Sequence, residues 1–254
     1  MSAKKKTPFK QMTLNFGQRA QKAFKCQDCG LFYNPNDTED NQLHTKFHNE
    51  KENVLKYTSP RTEKIVESFP NGKCIVIEAG IDQKQSLNKA LTILNYIDMQ
   101  LGINQNDNLN YSITDLDELE IISRMNIKES TKFYFFISMM TKKVVGFCMA
   151  EHVDKAYKIK YLNQKTSTSS FTYDESDLPE RVKCGISRIW VAASMRRNGI
   201  ASKLLDCVRM NFLYFRTLEL KEIAFSDPTH FGQAFAKGYF KTDSFLVYNS
   251  VSRN

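Results

Sequence analysis

The sequence predicts a mixed α/β fold: one central mixed sheet flanked by helices, preceded by a small ββα module. Two observations carry this expectation. From about residue 64, short apolar runs of β type alternate with stretches whose apolar residues recur at helical spacing. Ahead of them a Cys pair and a His pair crowd into residues 26–50, in a chain with only six Cys and four His. The expected divisions are a flexible basic tail (1–25), the small module (26–50), a linker around Thr58-Ser59-Pro60 (51–63) and the α/β domain (64–254).

The elements follow in order. Lys73 to Ala79 reads as a strand ended by Gly80. Ser86 is a candidate cap for a helix on Leu87, Leu91, Leu94, Ile97 and Leu101, with Gly102 just past its end. Phe133–Met140 and Val144–Glu151 read as a hairpin over Thr141-Lys142-Lys143, and Tyr157–Leu162 as an extension of the sheet. The polar stretch 163–180 reads as an insertion loop. Lys183–Val191 is a strand, and Gly199–Phe215 an amphipathic helix on Leu204, Leu205, Val208, Phe212 and Phe215. Glu222–Phe225, Phe231–Gly238 and Phe245–Tyr248 complete a strand, a short helix and a last strand.

Composition excludes some classes. At 41% hydrophobic and 25% charged, the 254 residues read as an ordinary globular protein. No run reaches the roughly 18 apolar residues of a membrane span, and no apolar segment follows Met1-Ser2-Ala3-Lys4-Lys5-Lys6 as in a secretory signal. Reduced cysteines are expected, and Cys74, Cys148, Cys184 and Cys207 read as buried thiols. His152 and His230 read as surface or core residues. The net charge of +8 is uneven: residues 1–25 hold seven basic side chains and no acid, whereas the rest carry 29 basic against 28 acidic. Such a tail can remain solvated, serve as a nuclear address or touch nucleic acid, while a near-neutral body argues against a primary DNA-binding protein.

Cys26 and Cys29 are separated by two residues, His44 and His48 by three, and the pairs by fourteen. Two thiolates on a tight turn and two imidazoles on one helical face can meet at a tetrahedral Zn²⁺. Asp37 is the expected cap of that helix, and Tyr33, Leu43 and Phe47 its expected miniature core. A lone finger reads about three base pairs, so a docking role toward a protein or DNA suits it better than sequence reading.

Arg196-Arg197-Asn198-Gly199-Ile200-Ala201 lies between a strand and an amphipathic helix. Backbone N–H groups there, with the helix N-terminus, can cradle a pyrophosphate; the arginines add charge. A bland helix start with solvated arginines fits the same residues. The layout resembles the GNAT superfamily of N-acetyltransferases, which bind acetyl-CoA at this turn. Cys184 to Val191, then Arg196 to Ala201, then Ile223-Ala224-Phe225-Ser226-Asp227-Pro228-Thr229, resemble the Eco/ESCO family of sister-chromatid-cohesion acetyltransferases, which also begins with one C2H2 finger. Lys64–Leu101 fits more loosely.

The resemblance implies a GNAT-type sheet, acetyl-CoA as co-substrate and a structural Zn²⁺. It further implies transfer to a lysine on the SMC ATPase subunit of cohesin, in the nucleus during DNA replication. Its cofactor-binding set is Ile189, Trp190, Val191, Arg196, Arg197, Asn198, Gly199, Ile200, Ala201, Ser202 and Thr229. A lysine must lose its proton to attack, costing about 4.6 kcal/mol at pH 7 from a pKa near 10.4, so a base is needed. Asp227 at the end of its strand is the first candidate; capping the following helix is its alternative reading. A backbone N–H on Ile189–Val191 suits the developing oxyanion. Ser187 matches a family position implicated in catalysis, although a lone Ser on a strand is also unremarkable. Asp206 stands where the family has Glu, one methylene shorter, for binding the incoming lysine. Tyr239 matches the tyrosine that protonates the leaving thiolate, and also suits packing. Trp190 fits core packing or a tunnel wall equally. Gln11-Met12-Thr13-Leu14 followed by Phe16 resembles the start of a PCNA-interacting box without its aromatic pair, since Gly17 and Gln18 stand there. The alternatives are a zinc-finger chromatin or DNA adaptor with an inactive acyl-CoA fold, and a small-molecule N-acetyltransferase.

Overall fold

The computed structural model describes residues 23–26, 31–60, 63–82, 84–103, 127–161, 171–172, 178–226 and 228–249. The chain divides into two units, Met1–His48 and Asn49–Asn254. Most of the basic tail, the Gln11–Leu14 motif and most of the 163–180 insertion lie outside the described residues, as do Cys29 and Asp227.

In the first unit, β1 (Phe24–Lys25) and β2 (Phe32–Tyr33) pair antiparallel, Phe24 opposite Tyr33. Helix α1 (Thr38–Leu55) follows. Asp37 caps it as expected: its Oδ1 accepts from the N–H groups of Glu39 at 2.9 Å and Asp40 at 3.2 Å. The expected miniature core is only partly present. Tyr33 stacks on His44 with centroids 3.7 Å apart, but Leu43 and Phe47 are 62% and 39% exposed. Each lies one position before a histidine, and it is the His44–His48 stripe that turns inward.

The stretch from 51, expected as a linker, opens as the end of α1, because no Gly or Pro interrupts the chain before Pro60. In the second unit Leu55 is buried and the carbonyl of Val54 accepts from Lys89 Nζ at 2.7 Å.

A nine-stranded sheet organises this unit, with strands β3 (Lys64–Phe69), β4 (Gly72–Glu78), β5 (Lys132–Ser138), β6 (Val144–His152), β7 (Lys155–Lys158), β10 (Glu180–Arg181), β11 (Cys184–Val191), β12 (Ile223–Ser226) and β13 (Leu246–Tyr248). Their spatial order is β10-β7-β13-β12-β11-β6-β5-β4-β3. β8 (Lys160–Tyr161) and β9 (Phe171–Thr172) pair separately. The strands from β3 to β11 alternate in direction, whereas β11–β12 and β12–β13 are parallel, so the sheet is mixed as expected. β3 had no sequence signal because it is an edge strand whose residues are half-buried or exposed.

Helices cover both faces. α2 (Lys84–Leu101) buries Leu87, Leu91, Leu94 and Ile97 against Phe133, Phe135, Phe147 and Trp190. It starts two residues before Ser86, which therefore sits in the first turn rather than at the cap; Gly102 ends it at φ 69°. On the other face α3 (Ile200–Asn211) and α4 (His230–Phe240) pack over Tyr134, Phe136, Cys148, Ile186 and Phe225. All four expected buried thiols lie in this second core. α3 is shorter than expected. Phe212 is buried, but Arg209 and Leu218 then close on one another, the Leu218 N–H donating to the Arg209 carbonyl at 2.9 Å and Arg209 Nε to the Leu218 carbonyl at 3.1 Å. The loop between leaves Phe215 99% exposed instead of on an apolar helical face.

Gly146 on β6 lets α3 settle onto the sheet. A Cβ there would stand 2.6 Å from Ile200 Cγ2 and 3.0 Å from Leu204 Cδ1. Gly146→Val is expected to destabilise the fold by about 1–3 kcal/mol through overpacking. Adding Ile200→Ala should return part of that loss, so the double variant melts above the additive expectation in calorimetry.

Candidate active site and metal centre

The site begins where β11 leaves β12. The two strands pair at Cys184–Ile223, Gly185–Ala224 and Ile186–Phe225, and among the described residues the ladder stops there. The register against β6 also shifts between Ile186 and Arg188, so Ser187 sits in a bulge. Ser226 Oγ donates to the Ser187 carbonyl at 3.1 Å, closing the ladder. Beyond it, among the described residues, Arg188 to Val191 pair only with β6, and their other edge meets no strand. An unpaired strand edge can accept an extended ligand that carries amide groups.

Ser187 is half-buried, with Oγ 3.4 Å from the Met149 carbonyl. Arg188 turns the opposite way to Ile189: its Nε reaches Asp98 Oδ1 on α2 at 2.7 Å, with Asp98 3% exposed. Removing one partner of such a pair costs roughly 3–5 kcal/mol, so it pins the parting strand to α2. The signal was available, since Asp98 interrupts an apolar helical stripe and Arg188 an apolar strand. Trp190 is 6% exposed and meets Tyr96 edge-on at 6.3 Å, which makes its indole core packing on α2. Its backbone stays on the parted edge.

Strand β11 leads into the Arg196–Ala201 turn. Arg197 and Gly199 both adopt left-handed backbone, φ 65° and 74°. For Arg197 this is strain of the sort held at functional loops. For Gly199 it is the reason for glycine, since a Cβ there would meet nothing within 4 Å. Arg196 Nε donates to the Val191 carbonyl at 3.1 Å, and Asn198 Nδ2 to the Met195 carbonyl at 3.2 Å, which brace the turn. Gly199 caps a three-turn helix without a side-chain acceptor, so the first N–H groups of α3 face outward, with Ala201 and Ser202 half-buried in that turn. This is the arrangement that attracts phosphate.

Two further candidates meet across α3 and α4. Tyr239 donates from its hydroxyl to Asp206 Oδ1 at 2.5 Å. Arg209, not anticipated from sequence, stands 3.7 Å from the same oxygen and 3.5 Å from the phenol. Burial first, then the bond to Asp206, push the Tyr239 phenol up to about 12, with Arg209 opposing. The expected reach of Asp206 toward a lysine therefore starts from a carboxylate already engaged through Oδ1. Thr229 sits at the start of α4 and its Oγ1 accepts from the Gly232 N–H at 3.2 Å. The helix cap is thus Thr229.

In the finger, the ligand atoms of Cys26, His44 and His48 lie within 4.8 Å of one another, Cys26 Sγ and His48 Nε2 at 3.0 Å. His44 Nε2 is buried without a hydrogen-bond partner. A buried imidazole nitrogen aimed at a thiol and a second imidazole fits a Zn²⁺ donor set.

Because the Tyr239 phenol is held above the ordinary value of 10, its folded form keeps a proton that the unfolded chain releases. Its contribution to stability is complete below pH 10 and is lost between pH 10 and about 12. The difference in phenolate absorbance between wild type and Tyr239→Phe should show this late ionisation.

The comparisons with known proteins agree with this geometry. The family model described as ESCO1/2 acetyl-transferase matches residues 180–248, and that described as the zinc-finger of acetyl-transferase ESCO matches 11–50. N-acetyltransferase ESCO1 of Homo sapiens is 36% identical over 256 residues, covering 97% of this chain and 28% of the relative. N-acetyltransferase ESCO2 of Danio rerio is 35% identical, covering 98% of this chain and 39% of the relative. The chain therefore spans well under half the length of these relatives. Among solved structures, the xEco2 acetyltransferase domain bound to a K105-CoA conjugate is 36% identical, with TM-score 0.62, over 76% of this chain and 100% of that chain. A parted strand edge, a left-handed glycine turn, a finger and a likeness that spans a whole solved domain together place this chain in the Eco/ESCO family of N-acetyltransferases.

Proposed function

We propose that this chain transfers the acetyl group of acetyl-CoA to a lysine of the SMC ATPase subunit of cohesin, in the nucleus during DNA replication, to establish sister-chromatid cohesion. The observation that carries the reading is the unpaired edge of Arg188–Val191 running into the Gly199 turn. It supports a ligand with an amide-bearing arm on the edge and a pyrophosphate at the helix N-terminus. When bound, acetyl-CoA supplies the thioester carbonyl.

The residues divide the work as follows. Arg196, Arg197 and the N–H groups from Asn198 to Ser202 hold the phosphates. A backbone N–H of Ile189–Val191 stabilises charge on the carbonyl oxygen. Asp206 attracts the ammonium through Oδ2, since Tyr239 and Arg209 both meet Oδ1. Asp227 takes the ammonium proton, the amine nitrogen bonds to the acetyl carbon as the carbon–sulfur bond breaks, Tyr239 gives its proton to the sulfur, and the second proton that the nitrogen sheds on becoming an amide restores the Tyr239 phenol. Tyr239 is protonated at neutral pH, as that role requires. Ser187 orients the thioester beside the bulge. Zn²⁺ would be held by Cys26, Cys29, His44 and His48. The basic tail supplies chromatin contact and its Gln11–Leu14 motif a PCNA contact. Among the described residues no helix is long and apolar enough to cross a membrane.

Radiolabelled acetyl-CoA with the purified chain and the cohesin SMC subunit tests this. Asp227→Asn is expected to cut turnover at least about a hundredfold with the fold intact, the scale of losing a general base. Unchanged kcat would remove Asp227 from that role. No transfer by wild type, with tight DNA binding, would uphold the adaptor reading, and acetylation of polyamines in preference to protein the small-molecule one. Chelating zinc should unfold the finger, read by circular dichroism, while CoA affinity of the 49–254 unit stays within about twofold.

A further inference from the structure

The finger carries a surface that the transfer reaction does not use. A DNA-reading finger contacts bases from helix positions −1, 3 and 6 and meets phosphates with Lys and Arg. With α1 starting at Thr38, those positions hold Asp37, Asp40 and Leu43. Both aspartates are committed to the local fold, Asp37 as the cap and Asp40 accepting from the Asn34 N–H at 2.9 Å. Among the described residues of this unit, Lys25 and Lys46 stand against Asp37, Glu39 and Asp40. Lys25 lies over the Phe32 ring at 5.6 Å. A phosphate backbone approaching the start of α1 would meet three carboxylates.

The same face is apolar in its next two turns. Leu43 and Phe47, four residues apart on one side of α1, are 62% and 39% exposed. Glu39 is exposed one turn before Leu43, and Asp40 lies three residues before it. An acidic edge therefore borders two bulky apolar side chains at helical spacing, in a module too small to leave such residues exposed without consequence.

We infer that the Leu43–Phe47 face of the finger docks a protein segment that presents bulky apolar side chains flanked by Lys or Arg. The charge of the edge selects the basic flank, and the apolar pair supplies the affinity. This surface serves recognition and is independent of whether acetyl transfer takes place. DNA is the occupant it disfavours.

The test uses the full zinc-loaded chain to select from a display library of random peptides, with a duplex DNA oligonucleotide as the second probe. Selected peptides are expected to pair bulky apolar residues with adjacent Lys or Arg. Leu43→Ser with Phe47→Ser should weaken them at least about tenfold, the scale of losing an interface anchor. Glu39→Lys, remote from the metal ligands, should shift selection toward peptides with acidic flanks. Zinc content, measured on each variant, must stay at the wild-type value for the comparison to be read. Peptides that bind the double variant as well as wild type would overturn the inference, as would an unchanged flank preference in Glu39→Lys. Duplex binding that is lost in the double variant would overturn it in favour of DNA.

Discussion

The parting of β11 from β12 after Ile186 is the constraint on which the catalytic unit depends. Parallel pairing holds the strands together for three residue pairs, and the bulge at Ser187 ends it. Ser226 closes the break by donating to the Ser187 carbonyl, so the opening has a defined floor. Above it the edge of Arg188–Val191 has no strand neighbour among the described residues, and the Val191 carbonyl accepts from Arg196 Nε instead. The fold thereby leaves the sheet incomplete along this part of β11.

Several unrelated contacts keep that opening rigid. The Arg188–Asp98 pair ties the strand to α2 on one face, and Trp190 adds packing against Tyr96. On the other face Gly146 admits Ile200 and Leu204, so the N-terminus of α3 stands at the end of β11. From the same helix Asp206 and Arg209 both meet Tyr239 of α4, so this polar cluster shares a scaffold with the Gly199 turn. The turn and Asp206 are held on a single 12-residue helix, one at its N-terminus and the other near its middle.

The finger follows a different logic. Its donors converge through the inward stripe of α1, while Leu43 and Phe47 look out. A metal replaces the apolar core that so short a segment cannot build, and this frees apolar side chains for recognition. Acids at the positions that elsewhere read bases give that recognition its sign.

Much of this was legible in the residues. Zinc-ligand spacing, the Asp37 cap, the alternation of strands and helices and the Gly199 turn all arise from neighbours within a few positions, where local geometry decides. The edge strand β3 escaped notice because half-exposed strands lack an apolar run, and α3 was read too long because Phe212 and Phe215 share a helical period. Only the tertiary structure could show that Leu218 folds back on Arg209 and ends it, that Asp98 and Arg188 are partners across 90 residues, or that Arg209 joins Asp206 and Tyr239. The sequence by itself determined the kind of module, the meeting of Cys26, His44 and His48, and the Gly199 turn. The parted edge and the Asp206–Tyr239–Arg209 cluster belong to the tertiary structure, because each is made by groups from separate elements that chain order does not bring together.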